Sequence, residues 1–236
     1  MPIYSSLMSF EHAEVPRFKW WRHVLSGMIA PVPQDRRTRR AIQLLTGLVL
    51  YGESDSMLVI ARLGLDPWDV LNQGLSRQTG IPIGTWAILV GLVVLTLWIP
   101  LRQRPGLGTL ANVALIGSTM DLVLWLAPHA HGDSRWIVMP LAVALNGLAT
   151  GLYIGATLGP GPRDGLMLGI AARGHSIRVT RTSIEAVVLI VGWLLGGQVG
   201  FGTLTYAIAI GPLVHLLIPL LRIKPPPSAP QHTTTD

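Results

Sequence analysis

Long apolar stretches separated by short polar segments fill the chain between residues 41 and 221. Six of these stretches are close to the ~20 residues that a helix needs to cross the hydrocarbon core of a bilayer. They cover roughly residues 41–63, 83–101, 107–127, 136–158, 182–198 and 201–221. The pattern predicts an all-α membrane protein with six transmembrane helices.

The second half of the chain repeats the first. At an offset of 95, residues 63–69 (LGLDPWD) align with residues 158–164 (LGPGPRD), and at an offset of 94 residues 106–110 (GLGTL) align with residues 200–204 (GFGTL). Glycine, proline and aspartate coincide, so shared hydrophobicity alone does not explain the match. Each repeat holds three spans, and three is odd. If all six helices cross, the two membrane repeats, residues 41–127 and 136–221, must be inverted relative to each other.

The basic residues agree with this topology. Of the 18 lysines and arginines, 15 fall on one side of a six-span arrangement, and only Arg62, Arg77 and Arg135 fall on the other. The positive-inside rule makes the crowded side cytoplasmic, which puts both termini in the cytoplasm of a bacterial cell and the protein in its inner membrane. The net charge of +6 is therefore explained by topology, and no nucleic-acid partner is expected. Anionic lipid is the expected contact of four arginines before the first span, Arg36, Arg37, Arg39 and Arg40.

Composition supports a membrane location. Half of the residues are hydrophobic and only 13% are charged, with a mean hydropathy of +0.48, so a lipid bilayer is the expected partner. The chain has no cysteine, which excludes disulfides and thiolate metal sites. Residues 1–40 are expected to form a basic N-terminal segment without a cleavable signal. Three interpretations remain open for this segment: an interfacial patch, a disordered tail, or an extension upstream of a true start at Met8 or Met28. Residues 222–236, rich in proline and threonine, are expected to be a disordered tail.

A short helix is predicted after the first span. Asp66 has the properties of its N-cap, Pro67 suits its first position, and Asp69 lies in its first turn. The matching segment of the second repeat contains Asp164. Two interpretations fit: both short helices bring their ends toward the membrane midplane to bind a solute, or both lie flat on the surface with Asp69 and Asp164 as caps. Matched glycines in the two helices, Gly74 and Gly169, favour close packing against another helix.

Two acids lie near the middle of the first span. Glu53 and Asp55 each carry an insertion cost of ~2.5 to 3.5 kcal/mol, so they need a partner, a water-filled cavity or a proton. They are the candidates for ion or proton coupling; a buried structural network that includes Arg62 is the alternative. Residues 147–151, the equivalent segment of the second repeat, contain no acid. Whatever this pair does is therefore confined to the first repeat.

Glycines indicate where helices approach closely. Gly147, Gly151, Gly155 and Gly159 recur at four-residue spacing along the fourth span, a pattern typical of tight helix packing. The third and sixth spans begin with Gly-Thr pairs at residues 108–109 and 202–203. These positions suit either an anion held by free backbone amides or a tight turn.

Other polar residues complete the inventory. Asp121 and His215 occupy equivalent positions in the two repeats, and Glu185 is placed to pair with Arg178 or Arg181. Two loop histidines near Asp133, His129 and His131, are not expected to hold a metal. No nucleophile can be combined with a base and an orienting group, so no catalytic residue, no cofactor and no enzymatic activity are expected.

Several of these motifs together resemble one family. Residues 64–71 (GLDPWDVL), 74–76 (GLS), 106–109 (GLGT) and 192–197 (GWLLGG) are similar to the YczE/YyaS/YitT group of bacterial integral membrane proteins. The resemblance covers roughly residues 41–221 and implies a multi-span membrane protein without a settled substrate. Trp68 stands where the second repeat has Arg163, which departs from a symmetric pattern.

These observations lead to a functional hypothesis. We expect a small-solute or ion permease whose pathway lies at the interface of the inverted repeats. Asp69 and Asp164 would orient the short helices, while Trp68, Arg163 and Asn72 would contact solute. The alternative is a non-transporting membrane subunit: the substrate-binding component of a larger transporter, or a scaffold for a biosynthetic or secretion complex. The small size of the chain favours a homodimer or a partner membrane protein.

Overall fold

The computed structural model describes Pro33, residues 35–127 and residues 132–223. Within these residues the chain forms eight α-helices and one short 3-10 helix (Gly132–Ser134), and no strand. The helices are α1 (Arg37–Ala61), α2 (Pro67–Thr79), α3 (Ile83–Leu101), α4 (Leu107–Leu126), α5 (Arg135–Gly155), α6 (Pro162–Ala171), α7 (Ile177–Leu194) and α8 (Phe201–Leu221). The all-α prediction is confirmed for this part of the chain, including both short helices, α2 and α6.

Five of these helices, α1, α3, α4, α5 and α8, are long and apolar enough to cross a membrane. Their outer faces expose large apolar side chains, as Ile137 and Leu220 do at 72% each. Such surfaces are stable next to lipid tails and unstable in water. The fifth predicted span differs from expectation because α7 begins at Ile177 and so includes Arg178, Arg181 and Glu185. The structure therefore supports a membrane protein with five candidate spans.

The helices pack in a pattern that repeats across the two halves. At the centre α1 packs against α5, while α4 packs on α1 and α8 packs on α5. Each short helix packs on a long helix of the other half: α2 packs on α7, and α6 packs on α3. At Gly74 of α2 an added Cβ would lie 2.6 Å from the carbonyl oxygen of Gly192, and at Gly169 of α6 it would lie 3.0 Å from the side chain of Gln103. The prediction of close packing at both glycines is confirmed.

A reciprocal pair of contacts fixes the turns before α2 and α6. The Gly202 amide donates to the Leu63 carbonyl at 2.7 Å, and the Gly108 amide donates to the Leu158 carbonyl at 2.8 Å. The residue after each carbonyl is a glycine with positive φ, which a side chain would strain. These amides are thus used within the protein. The tight-turn interpretation of the two Gly-Thr pairs is correct, and the anion interpretation is wrong.

The glycine stripe of α5 is covered by α8. An added Cβ would lie 2.9 Å from Leu213 at Gly147, 3.0 Å from Leu217 at Gly151 and 2.7 Å from the Leu221 carbonyl at Gly155. Removing side chains at this spacing lets the two backbones approach, as predicted.

One of the four arginines expected at the lipid surface has a different role. Arg40 is only 2% exposed; it forms an ion pair of 2.7 Å with Asp35 and donates to the Ala156 carbonyl at 3.0 Å. The hydrogen bond from Arg40 lowers the pKa of Asp35. Arg40 therefore joins the start of α1 to the end of α5. The predictions for residues 1–32 and for the tail beyond Ile223 lie outside the described residues.

Candidate functional site

Asp55 lies at a buried contact between α1, α5 and α8. Helix α1 is continuous through this segment, so the acid is accommodated by surrounding protein. The Asp55 side chain is 1% exposed, and its Oδ1 accepts a hydrogen bond from Asn146 Nδ2 at 2.9 Å. Asn146 Oδ1 in turn accepts from the Tyr206 hydroxyl at 3.0 Å. Glu53 is only partly buried, and Arg62 is exposed beyond the end of α1, so the buried network around Asp55 does not include Arg62.

The turn into α2 adds two more acids. Asp66 is the N-cap of α2, and its Oδ1 accepts from the backbone amides of Trp68 at 2.9 Å and Asp69 at 3.2 Å. This confirms the predicted cap. The Asp69 side chain is instead buried, 1% exposed, and accepts from Asn72 Nδ2 at 3.0 Å.

The three aspartates converge. One carboxylate oxygen from each of Asp55, Asp66 and Asp69 lies within 4.8 Å of the others; we call these three residues the acid cluster. Each residue also has an Oδ2 that is buried without a hydrogen-bond partner, and the same holds for Asn72 Oδ1. A buried oxygen without a hydrogen-bond partner costs free energy, because it loses its hydration and gains nothing in return. The cost is larger when the oxygen is charged.

A single arginine from the other half faces the acid cluster. Arg163, in the first turn of α6, has Nη1 3.7 Å from Asp66 Oδ1 and Nη2 3.7 Å from Asp69 Oδ1. These distances exceed the ~2.7 to 2.9 Å of a charge-assisted hydrogen bond. The guanidinium also lies 5.1 Å from the centre of the Trp68 ring, within the range of a cation–π interaction. Trp68 is itself buried, so its ring packs beside Arg163 inside the protein.

Arg163 also lines a cavity of about 180 Å³. Side chains from both halves line it, among them Tyr51 and Asn112 from the first and Tyr153, Asp164 and Tyr206 from the second. The Tyr153 hydroxyl donates to Asp164 Oδ2, which separates Asp164 from the acid cluster. Arg163, through its own side chain, and Tyr206, through Asn146, each connect the cavity to the acid cluster.

The remaining predicted polar residues lie elsewhere. Asp121 accepts from the Gly84 amide at 2.6 Å and the Thr85 hydroxyl at 2.7 Å, joining α4 to the start of α3. Glu185 pairs with Arg181 at 2.8 Å, as predicted, and His215 is exposed on α8. Asp133 is exposed in the 3-10 helix, whereas His129 and His131 fall outside the described residues.

Sequence reasoning missed five residues of the site: Tyr51, Asn112, Asn146, Tyr153 and Tyr206. Their common property is a hydrogen-bonding side chain inside an otherwise apolar span. Such groups need partners in a membrane and often mark functional positions. The repeat gives a second indication, since Asn146 is equivalent to Tyr51 and Tyr206 to Asn112.

The fold and its apolar outer surface define a helical membrane protein. The chain belongs to a family of unknown function, DUF6198, whose model matches residues 38–219. This agrees with the resemblance recognised from the sequence motifs.

Similar proteins occur in distant bacteria. An "Uncharacterized protein" of Haemophilus influenzae is 41% identical over 77% of this chain and 84% of its own length. The "Uncharacterized membrane protein YczE" of Bacillus subtilis is 33% identical over 73% of this chain and 82% of its own length. YyaS of the same organism is 28% identical over 74% of this chain and 90% of its own length. No solved structure matches the chain.

Proposed function

We propose that this chain is a permease for a small polar solute in the bacterial inner membrane, with its pathway between two inverted repeats. In this arrangement six helices cross the bilayer, α7 is the fifth of them, and both termini are cytoplasmic. The observation that carries the proposal is the cavity, because residues of both halves line it and Arg163, a partly buried arginine, forms part of its wall. A pathway between two repeats is the common design of small transporters.

The reciprocal packing supports inverted repeats. The short helix of each half packs on a long helix of the other, and each preceding turn is held by a glycine amide of the other half. Helix α7 has 18 residues, or ~27 Å at 1.5 Å per residue, which is close to the thickness of the hydrocarbon core. The ion pair between Arg181 and Glu185 lowers the cost of carrying these charges into the membrane.

The cavity wall favours a particular kind of solute. The volume of about 180 Å³ is below the ~300 to 1,000 Å³ of pockets for drug-sized ligands, so the solute is small. Hydrogen-bond donors of the wall include the guanidinium of Arg163, the amide of Asn112 and the hydroxyl of Tyr51. We therefore expect a compact molecule with acceptor oxygens.

Single cysteines test the topology, because the natural chain has none. Gln78→Cys at the end of α2 and His175→Cys after α6 are at exposed positions. Inverted repeats predict that a membrane-impermeant maleimide labels position 78 only in intact cells with the outer membrane permeabilised, and position 175 only in inside-out vesicles. Labelling of both from one side would refute the inversion.

Access to the cavity tests transport. In a permease that alternates between two open states, Asn112→Cys should be labelled from both sides of the membrane, at rates that a bound solute lowers. Leu122→Cys, on the same helix at a position exposed on the outer surface, is the matched control and should stay unlabelled. Labelling of position 112 from one side alone would favour a substrate-binding subunit, and protection from both sides would favour a scaffold.

A further inference from the structure

We propose that the acid cluster, together with the Asn72 amide oxygen, is a binding site for one hard divalent cation of the size of Ca²⁺ or Mn²⁺. This proposal does not rest on the permease function, because the same site would serve a transporter, a binding subunit or a scaffold. It also revises the expectation from sequence that the chain has no metal ligands.

The ligand chemistry and spacing fit such an ion. The acid cluster offers only oxygen atoms as ligands. Hard cations such as Ca²⁺ and Mn²⁺ prefer oxygen ligands, whereas softer metals prefer nitrogen or sulfur. One carboxylate oxygen from each aspartate lies within 4.8 Å of the others. Ligands bound at ~2.3 to 2.6 Å on opposite sides of one Ca²⁺ are separated by about twice that distance, so the three oxygens are close enough to share a single ion.

Unpartnered oxygens point independently to a ligand. Asp55, Asp66 and Asp69 each keep a buried Oδ2 with no hydrogen bond, although each Oδ1 is engaged. Asn72 is completely buried, and its Nδ2 donates to Asp69 Oδ1, which holds the amide beside the acid cluster. Its Oδ1 has no partner. Four buried acceptors without partners, on three converging aspartates and the asparagine bonded to one of them, suit the coordination needs of a hard cation.

The charge balance selects a divalent ion. When all three are ionised, the carboxylates carry three negative charges, and Arg163 supplies one positive charge at 3.7 Å from two of them. Two negative charges remain in a buried environment, where an uncompensated charge is strongly unfavourable. A divalent cation neutralises the remainder. Because Arg163 is not within hydrogen-bond distance of the carboxylates, they keep lone pairs for the ion.

Binding of Mn²⁺ to the purified full-length protein in detergent tests the proposal. The electron paramagnetic resonance signal of free Mn²⁺ falls as the ion binds, and we expect one ion per chain that Ca²⁺ displaces. Asp69→Asn and Asp55→Asn each remove one charged ligand and should weaken Mn²⁺ binding by at least about tenfold. Glu53→Gln is the matched control, two residues from Asp55 on the same helix and outside the acid cluster; it should bind Mn²⁺ as the natural chain does.

A variant that strengthens binding guards against loss of folding. Arg163→Gln removes the positive charge facing the site, so Mn²⁺ affinity should rise by about tenfold or more. The proposal is overturned if the natural chain binds no Mn²⁺ at millimolar concentration, or if Asp69→Asn and Asp55→Asn bind it unchanged. It is also overturned if Arg163→Gln weakens binding while remaining folded by size-exclusion chromatography. None of these outcomes depends on whether cysteine labelling supports a permease.

Discussion

The turn before α2 and the turn before α6 share a backbone. Gly64 has a φ of 114° and Gly159 a φ of 122°, and the carbonyl before each accepts a glycine amide from the other half of the molecule, at 2.7 and 2.8 Å. Short helices with proline in the first turn follow in both halves. In these turns and the helix starts that follow them, the main chain of one half matches that of the other.

The side chains on these two frames differ in charge. Asp55, Asp66 and Asp69 of the first half correspond to Thr150, Gly161 and Asp164 of the second, and Trp68 corresponds to Arg163. The first half thus supplies the negative charges and the second supplies the cation that faces them. A duplicated backbone here keeps its geometry while its two copies have diverged into complementary halves of one site.

The shared backbone of the two turns predicts that the same substitution destabilises both halves equally. Gly64→Ala and Gly159→Ala each add a Cβ at a positive φ, at 2.6 Å from the Gly200 amide nitrogen and 2.9 Å from the Gly106 Cα respectively. Strain and overpacking together should lower the free energy of unfolding by about 4 kcal/mol in each case. Titration with denaturing detergent measures this quantity. Gly211→Ala, where a Cβ meets nothing within 4 Å, should have little effect, and a loss confined to one half would break the equivalence.

The difference in charge between the two halves predicts that Arg163 and Arg181 contribute unequally to the free energy of unfolding. In the presence of a chelator, Arg163→Gln leaves the buried acid cluster without its cation and should lower the free energy of unfolding by about 3 kcal/mol. Arg181→Gln breaks an ion pair whose two side chains are 47% and 29% exposed, so its effect should stay below about 1 kcal/mol. The same detergent titration compares the two variants. Equal losses would mean that Arg163 does not neutralise the acid cluster.

A smaller loss of stability is expected when Asp164, the acid of the second half, loses its hydrogen-bond donor. Tyr153→Phe removes the hydroxyl that donates to Asp164, and it should lower the free energy of unfolding by about 1 kcal/mol, since Asp164 is only partly buried and water replaces the lost donor. Mn²⁺ affinity should not change, because Asp164 is outside the acid cluster. A change in Mn²⁺ affinity in this variant would show that the two acidic regions are coupled.

Local rules made much of the fold predictable. Helix lengths follow from bilayer thickness, the Asp66 cap from residue preferences at helix starts, and the Arg181–Glu185 pair from i,i+4 spacing. The start of α7 was placed too late, at Thr182 instead of Ile177, because its first turns carry charges that a hydropathy pattern discards. The presence of five candidate spans, where six were predicted, has the same origin.

The acid cluster was not predictable in the same way. The sequence marks Asp55 as unusual, but it offers Asp66 only as a helix cap and Asp69 as a cap or a group at a solute site, since these roles need only neighbouring residues. Their convergence depends on the chain folding back after α1, and the contact that holds this turn comes from Gly202, far away in the sequence. The contact between Trp68 and Arg163 was hidden for a similar reason, because only the tertiary structure brings the guanidinium within 5.1 Å of the ring.

The hydrogen bond from Gly202 to Leu63 also has a consequence for biosynthesis. Its donor lies at the start of α8, the last of the described helices to leave the ribosome, at ~5 to 20 residues per second. Until then the turn that sets Asp66 and Asp69 beside Asp55 has no partner for its carbonyl. A nascent chain would therefore insert three acids into the membrane several seconds before the final helix can hold them in place, and we expect chains truncated before Phe201 to leave this turn unsupported.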